Sequence, residues 1–149
     1  MMTTSTENNR IKVFLDTNVI IDAITLRDYD YKPSKALLYN IVKGNITGYI
    51  CSKQITDIYY IFRKYYQNEN DIRENVKKIM SFFEMLPLQK GDLLACLNTD
   101  MKDFEDAILC EVAKVNMIPI IITNNIDHFK NSKTTALTPQ QFLQMFSLE

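Results

Sequence analysis

Apolar residues along this chain fall in short clusters whose spacing switches between that of strands and that of helices. Ile11, Val13, Phe14 and Leu15 form a β-rich run ending at Asp16, as in a buried parallel strand, and the run over residues 19–26 reads as a helix. Residues 27–32 are polar and tyrosine-rich, a turn ended by Pro33. A helix over 34–43 places Leu37, Leu38, Ile41 and Val42 on one side, and Gly44 stops it. A short strand is expected at 47–51. Ile55, Ile58, Tyr59 and Phe62 then recur at helical spacing, predicting a helix over 53–66 that breaks at 68–70. Another helix, 71–86, carries Ile72, Val76, Ile79, Met80 and Phe83, with Pro87 as its stop. A minor strand at 86–89, a short helix at 92–97 and a helix at 103–116 follow. Ile118, Ile120, Ile121 and Ile122 mark a strand at 117–123 buried on both faces. After a turn at 124–129 come an edge strand at 133–137 and a last helix, 139–146, opened by Thr138-Pro139. Alternating short strands and helices predict an α/β fold with a parallel sheet covered by helices.

Length and composition change this picture little. The 149 residues suit one domain, 11–149, behind a polar leader at 1–10 that is expected to be disordered. A net charge of −1 excludes a general attraction for nucleic acid, so a polyanion must be held by a local basic patch or a metal. The three cysteines, Cys51, Cys96 and Cys110, sit in apolar patterns and read as reduced core residues of a cytoplasmic protein. No signal-peptide pattern and no apolar run of membrane-spanning length occurs.

The candidate chemistry lies in the acids. Asp16 ends the first strand. Asp57 lies early in the helix after the second strand. Asp103 and Asp106 lie in the first turn of the helix before the isoleucine strand, and Asn125 and Asp127 directly follow that strand. In a parallel α/β sheet all of these positions fall at the carboxyl edge, where ligands bind. Each has a plainer reading. Asp16, Thr17 or Asn18 could cap the next helix, Asp103 its own, Asp57 could face solvent beside Lys53 and Lys64, and Asp127 and Asn125 could be turn residues. Together they predict a site. Crowded carboxylates repel one another and remain ionised around a divalent cation. All-oxygen donors without a Cys or His cluster select Mg²⁺ or Mn²⁺. Asp16, Asp103, Asp106 and Asp127 are therefore the candidate metal ligands, and such an ion can activate water against a phosphodiester.

The motifs Phe14-Leu15-Asp16-Thr17-Asn18-Val19-Ile20-Ile21-Asp22, Asp103-Phe104-Glu105-Asp106-Ala107-Ile108-Leu109, Ile121-Ile122-Thr123-Asn124-Asn125 and Leu137-Thr138-Pro139-Gln140-Gln141-Phe142-Leu143 stand in an order and spacing that resemble the PIN domain family. This family of small metal-dependent nucleases includes the VapC-type toxins of bacterial toxin–antitoxin pairs, and the resemblance runs over residues 11–146. It implies a three-layer α/β/α sandwich with a central, mostly parallel sheet of four or five short strands. It also implies that Asp16, Asp106 and the residue at Asn125 surround Mg²⁺ or Mn²⁺. The family's middle-helix glutamate corresponds here to Asp57, which completes the catalytic set Asp16, Asp57, Asp106 and Asn125. Thr17, Asn18 and Thr123 would support it. The chain departs from the pattern at Asp57, one methylene short, and at Asn124-Asn125-Ile126-Asp127-His128-Phe129, where an arginine and a later aspartate are common. His128, the only histidine, is left outside the catalytic set.

The resemblance implies an endoribonuclease acting as the toxin of a toxin–antitoxin pair. Its partners would be an RNA substrate, an antitoxin protein and a second copy in a homodimer, with no membrane. Lys53, Lys102 and Lys130 are the candidate RNA-binding cations. Tyr59, Tyr60, Tyr65 and Tyr66 read as core or as a partner surface. Two other readings stay open. One is a PIN-like module that has lost catalysis and binds RNA or protein. The other is a phosphatase of another α/β fold with Asp16 as nucleophile, against which Asn18 stands where a second acid is usual.

Overall fold

Apolar residues of the inner strands alternate between two covered faces, so those strands feed two cores at once. The computed structural model describes residues 10–27 and 30–148. The leader, up to residue 9, lies outside the described residues, as do Asp28 and Tyr29 of the expected turn. In chain order the elements are β1 (Ile11–Leu15), α1 (Thr17–Thr25), α2 (Lys32–Val42), β2 (Ile46–Cys51), α3 (Ser52–Phe62), α4 (Glu69–Phe82) and β3 (Glu84–Leu86). Then follow α5 (Lys90–Cys96), α6 (Phe104–Val115), β4 (Ile120–Ile122), a 3₁₀ turn (Ile126–Phe129), β5 (Thr135–Leu137) and α7 (Pro139–Met145).

The five strands form one sheet in the order β3-β2-β1-β4-β5. Every pairing is parallel. Val13, Leu15, Ile46, Ile50, Ile120 and Ile122 face a core built with Ile20, Leu37, Ile58, Ile72, Ile79 and Phe142 from α1, α2, α3, α4 and α7. Phe14, Cys51 and Ile121 face the other way, onto Cys96, Ile108, Val112 and Phe129 from α5, α6 and the 3₁₀ turn. The result is the three-layer α/β/α sandwich. All three cysteines are free and buried in it.

Most boundaries fall within two residues of the sequence pattern, and the larger departures have visible causes. Helix α3 ends at Phe62 rather than 66, because the amides of Arg63, Lys64 and Tyr65 tighten onto carbonyls three residues back. Asn68 does not merely break a helix. Its side chain accepts the amide of Asp71 and caps α4. Helix α4 stops at Phe82, well before Pro87, because Phe83 turns extended and Glu84–Leu86 pairs with β2. The minor strand thus precedes its expected place at 86–89. Gly48 of β2 lets this happen, since a Cβ there would sit 2.8 Å from the Phe83 ring and 2.9 Å from Ile41 Cδ1. The isoleucine strand is only Ile120–Ile122, because Met117 turns left-handed (φ 56°) and Ile118 donates its amide back to Ala113.

Candidate active site

The chain leaves β1 for β2 on one side and later returns as β4 on the other, so strand order reverses between β1 and β4. In an open parallel sheet that reversal leaves a crevice beyond the carboxyl ends. Asp16 follows β1 there, and Thr123 follows β4. The Asp16 amide donates to Ile122 O at 2.9 Å, fixing the two strand ends together. A cleft of about 480 Å³ opens over them, walled by Asp16, Asn18, Asp57, Asp103, Asp106 and Asn125.

Asp16 occupies the N-cap position of α1, yet its side chain makes no capping bond. Its carboxylate is held instead from the sheet. Thr123 Oγ1 donates to Asp16 Oδ2 at 2.8 Å and accepts the Asn125 amide at 3.1 Å. Thr123 is fully buried, so this link is shielded from water. Burial raises the pKa of Asp16, and Asp103 adds to that. The Thr123 hydroxyl, the Thr17 amide and His128 work against it.

Asp106 stands on α6 beside its cap, where Asp103 Oδ1 accepts the Asp106 amide at 2.9 Å. Asp103 is therefore the N-cap, and it also lines the cleft. Only 13% of the Asp106 side chain is exposed. Its Oδ2 is buried without a hydrogen bond. His128 Nδ1 approaches that oxygen to 3.2 Å, close enough for an ion pair but without hydrogen-bond alignment. Burial first, then Asp103 and Asp16, push the Asp106 pKa up to about 6, with His128 pulling the other way.

Asp57 lines the cleft but is tied to Lys53 at 2.8 Å, and the same ammonium reaches Glu105 at 3.1 Å. Burial disfavours the Lys53 charge, yet these two carboxylates outweigh it and raise its pKa. Lys53 thus spans the cleft wall between α3 and α6. Asp127 is not brought to the cleft. It is exposed in the 3₁₀ turn and lines an adjoining hollow with Lys102, Lys130 and one edge of Asp103. The geometry accordingly gathers Asp16, Asp57, Asp103, Asp106, Asn125, Thr17, Asn18 and Lys53, and leaves Asp127, Lys102 and Lys130 beside them.

Gln54, which the sequence did not single out, and His128, which was set outside the catalytic set, both belong to this arrangement. Gln54 is 1% exposed. Its Oε1 accepts the Cys51 amide at 2.7 Å, and its Nε2 donates to Leu15 O at 2.9 Å and Thr17 Oγ1 at 3.1 Å. It clamps the end of β1 to the start of α3. Its position in the first turn after a strand, where a side chain can reach back to the preceding amide, was the available signal. His128 is the other, and its sequence carried no sign that it would meet Asp106.

Among the described residues no three His, Cys, Asp or Glu side chains gather into a ready-made metal cage. The donor chemistry nonetheless fits a hard cation. Asp106 Oδ2 is a buried acceptor without a hydrogen bond, next to a second buried carboxylate, and two buried anionic groups are costly unless enough positive charge meets them, which one exposed histidine at 3.2 Å does not supply by itself. Mg²⁺ needs few protein ligands because it keeps much of its water.

The family model described as "PIN domain" matches residues 12–127. The chain belongs to the PIN domain family. Ribonuclease VapC1 of Aquifex aeolicus is 24% identical over 144 residues, spanning 93% of this chain and 98% of that protein. Among solved structures, VapBC2 from Rickettsia felis bound to a promoter DNA fragment superposes with a TM-score of 0.62 at 19% identity, covering 86% of this chain and 98% of that one. FitAcB from Neisseria gonorrhoeae does so with a TM-score of 0.65 at 17% identity, covering 86% and 98%. At these identities the structures establish the fold.

Proposed function

We propose that this PIN protein is a divalent-metal-dependent endoribonuclease, the toxin of a toxin–antitoxin pair. The observation that carries the reading is the buried Asp106 Oδ2, without a hydrogen bond and faced only by His128, beside Asp16 at the switch point of a PIN fold. The likeness to a ribonuclease VapC1 supplies the substrate class, and the toxin–antitoxin neighbours supply the partner.

Asp16 and Asp106, with Asn125 beside them, would hold Mg²⁺ or Mn²⁺. Bound there, such an ion supplies a water acidic enough to attack near neutral pH and offsets charge gathering on the phosphate. The chain's own groups set the stage. Thr123 fixes Asp16 and, through the Asn125 amide, the loop after β4. Gln54 fixes the turn that carries Asp16 and Thr17. Lys53 lies on the cleft wall, where exchange of its Asp57 or Glu105 partner for a substrate phosphate would position the strand. Tyr60, exposed at the cleft edge, offers a face on which an unpaired base can stack. The exposed faces of α3 and α4 are the surface proposed for the antitoxin and a second copy, and the cytoplasm is the compartment.

One observation favours a second reading, a module without catalysis: Asp57 is already neutralised by Lys53. The two readings part in one experiment. Protein freed of any partner is incubated with mixed RNA and with single- and double-stranded DNA, under EDTA, Mg²⁺ or Mn²⁺, beside Asp16→Asn and Asp106→Asn. Metal-dependent RNA cleavage lost in both variants is expected. No cleavage and no metal-induced rise in Tm would leave the non-catalytic module.

A further inference from the structure

A second polar hollow adjoins the cleft and shares Asn18 and Asn125 with it. Its remaining walls are Asp22, Arg27, Tyr65 and Asn124. Asp22 is 4% exposed, a depth at which a lone carboxylate is costly. It is fully engaged. Arg27 Nε donates to Asp22 Oδ1 at 2.7 Å, and Asn124 Nδ2 donates to Asp22 Oδ2 at 2.9 Å. The guanidinium fork then reaches onward. One terminal nitrogen donates to Asn18 Oδ1 at 2.8 Å, and the other approaches the Tyr65 hydroxyl at 3.4 Å, with the Tyr65 ring 5.9 Å below.

The polarity of this chain has a consequence. A guanidinium only donates, so the Asn18 atom facing it must be the carbonyl oxygen. With that oxygen turned to Arg27, the other end of the Asn18 amide, at the cleft wall, is its N–H₂, a donor group and not a metal ligand. Charge-assisted donation from an arginine locked on a buried carboxylate holds this orientation firmly. In a cleft that receives a phosphodiester, a neutral donor among carboxylates can face the anionic oxygens, which the acids would repel.

We propose that Arg27, seated on Asp22, is a positioning residue that holds Asn18 with its amide N–H₂ group directed to donate to a phosphodiester oxygen in the cleft. The inference rests on the ribonuclease reading for its substrate, but its geometry is testable without turnover.

Two measurements decide it. The first is a kinetic cycle on RNA with Mg²⁺, using Asn18→Ala, Asn18→Asp, Arg27→Met and the Asn18→Ala/Arg27→Met double variant. Asn18→Ala is expected to lower kcat/KM about 10- to 100-fold, the range for one hydrogen bond to a charged group. Asn18→Asp should be at least as impaired, because a carboxylate cannot donate. If Asn18 were instead a metal ligand through its oxygen, Asn18→Asp would keep or raise activity, which overturns the proposal. The double variant should be no worse than Asn18→Ala, because Arg27 acts through Asn18. Additive losses overturn the positioning role. Asp22→Asn/Arg27→Met repeats the arginine arm without leaving Asp22 charged and unpaired, and Tm monitors folding of every variant.

The second measurement is NMR of the Asn18 side-chain amide, assigned by its absence in Asn18→Ala, as a mixed-sequence single-stranded oligodeoxynucleotide is added with Mg²⁺. DNA carries the same phosphodiester. The Asn18 amide signals should shift in the wild type and shift less in Arg27→Met. If backbone signals at Asp106 and His128 move while the Asn18 amide does not, the proposal falls and the nuclease reading stands. If the amide shifts but no RNA is ever cut, the proposal stands and the ribonuclease reading falls. No shift anywhere overturns the proposal.

Discussion

Replacing Thr123 with Val removes one hydroxyl and almost no volume, so it isolates what that hydroxyl does for Asp16. The residue is fully buried, and its Oγ1 both donates to Asp16 Oδ2 at 2.8 Å and accepts the Asn125 amide at 3.1 Å. Losing a hydrogen bond to a charged group costs about 1.5–3 kcal/mol, and orphaning a part-buried amide adds about 1 kcal/mol. Thr123→Val should therefore destabilise the metal-free protein by about 2–4 kcal/mol near neutral pH. The pH dependence carries the sharper test. Burial already raises the folded-state pKa of Asp16 above its unfolded value. The native state then binds a proton that the unfolded chain releases, so stability falls as pH rises from the ordinary carboxylate range through the folded pKa. Without the Thr123 donor, which lowers it, that pKa rises further. The deficit of the variant should thus be small in acid, where Asp16 is protonated in both proteins, and grow towards neutrality. Urea denaturation in EDTA across a pH series measures it. An equal deficit at acid and neutral pH would refute the argument, because Thr123 would then contribute packing and not a bond to the Asp16 carboxylate.

Other outcomes follow from the same geometry. In metal-free protein the Asp106 pKa, raised from 3.8 to about 6 by burial, Asp103 and Asp16, makes this group's contribution to stability greatest in acid and lost as pH rises through about 6; Mg²⁺ should accordingly raise Tm more at about pH 8 than at about pH 5, and equal shifts would count against Asp106 as a ligand. Gln54→Ala should cost about 2–4 kcal/mol in urea denaturation, because it orphans the Cys51 amide and loses the bonds to Leu15 and Thr17 together; a loss below about 1 kcal/mol would show that the clamp does not hold the turn. Gly48→Ala should destabilise by about 1–3 kcal/mol through overpacking against Phe83 and Ile41, read as a lower Tm; an unchanged Tm would mean that the β2–β3 edge yields freely.

Local pattern determined most of the architecture. Runs such as 11–15 and 120–122 are β-branched and aromatic, a composition that suits strands covered on both faces, and the helices between them carry one apolar stripe each. The parallel, helix-covered sheet follows from those periods, and the PIN resemblance was legible because its motifs lie at strand ends and helix starts, where position in sequence fixes position on the sheet edge. Boundaries were less legible. Phe83 leaves α4 because a β2 edge is waiting to pair with Glu84–Leu86, and no local preference announces a partner about 35 residues away in sequence.

The sequence placed Asp16, Asp106 and Asn125 at one rim, since topology alone sends them there. Only the tertiary structure decided what each does. Asp127 follows the same strand as Asn125, yet the 3₁₀ turn carries it outside the cleft into the hollow beside Lys102 and Lys130. Asp103 became a cap because its own helix needed one. Gln54, Thr123 and the Asp22–Arg27–Asn18 chain acquired their roles from burial and from partners distant in sequence, as with Thr123 and Asp16 or Asn124 and Asp22. A hydrogen bond is worth most where water is excluded, and which groups lose their water is settled by packing of the whole chain, not by any stretch of it.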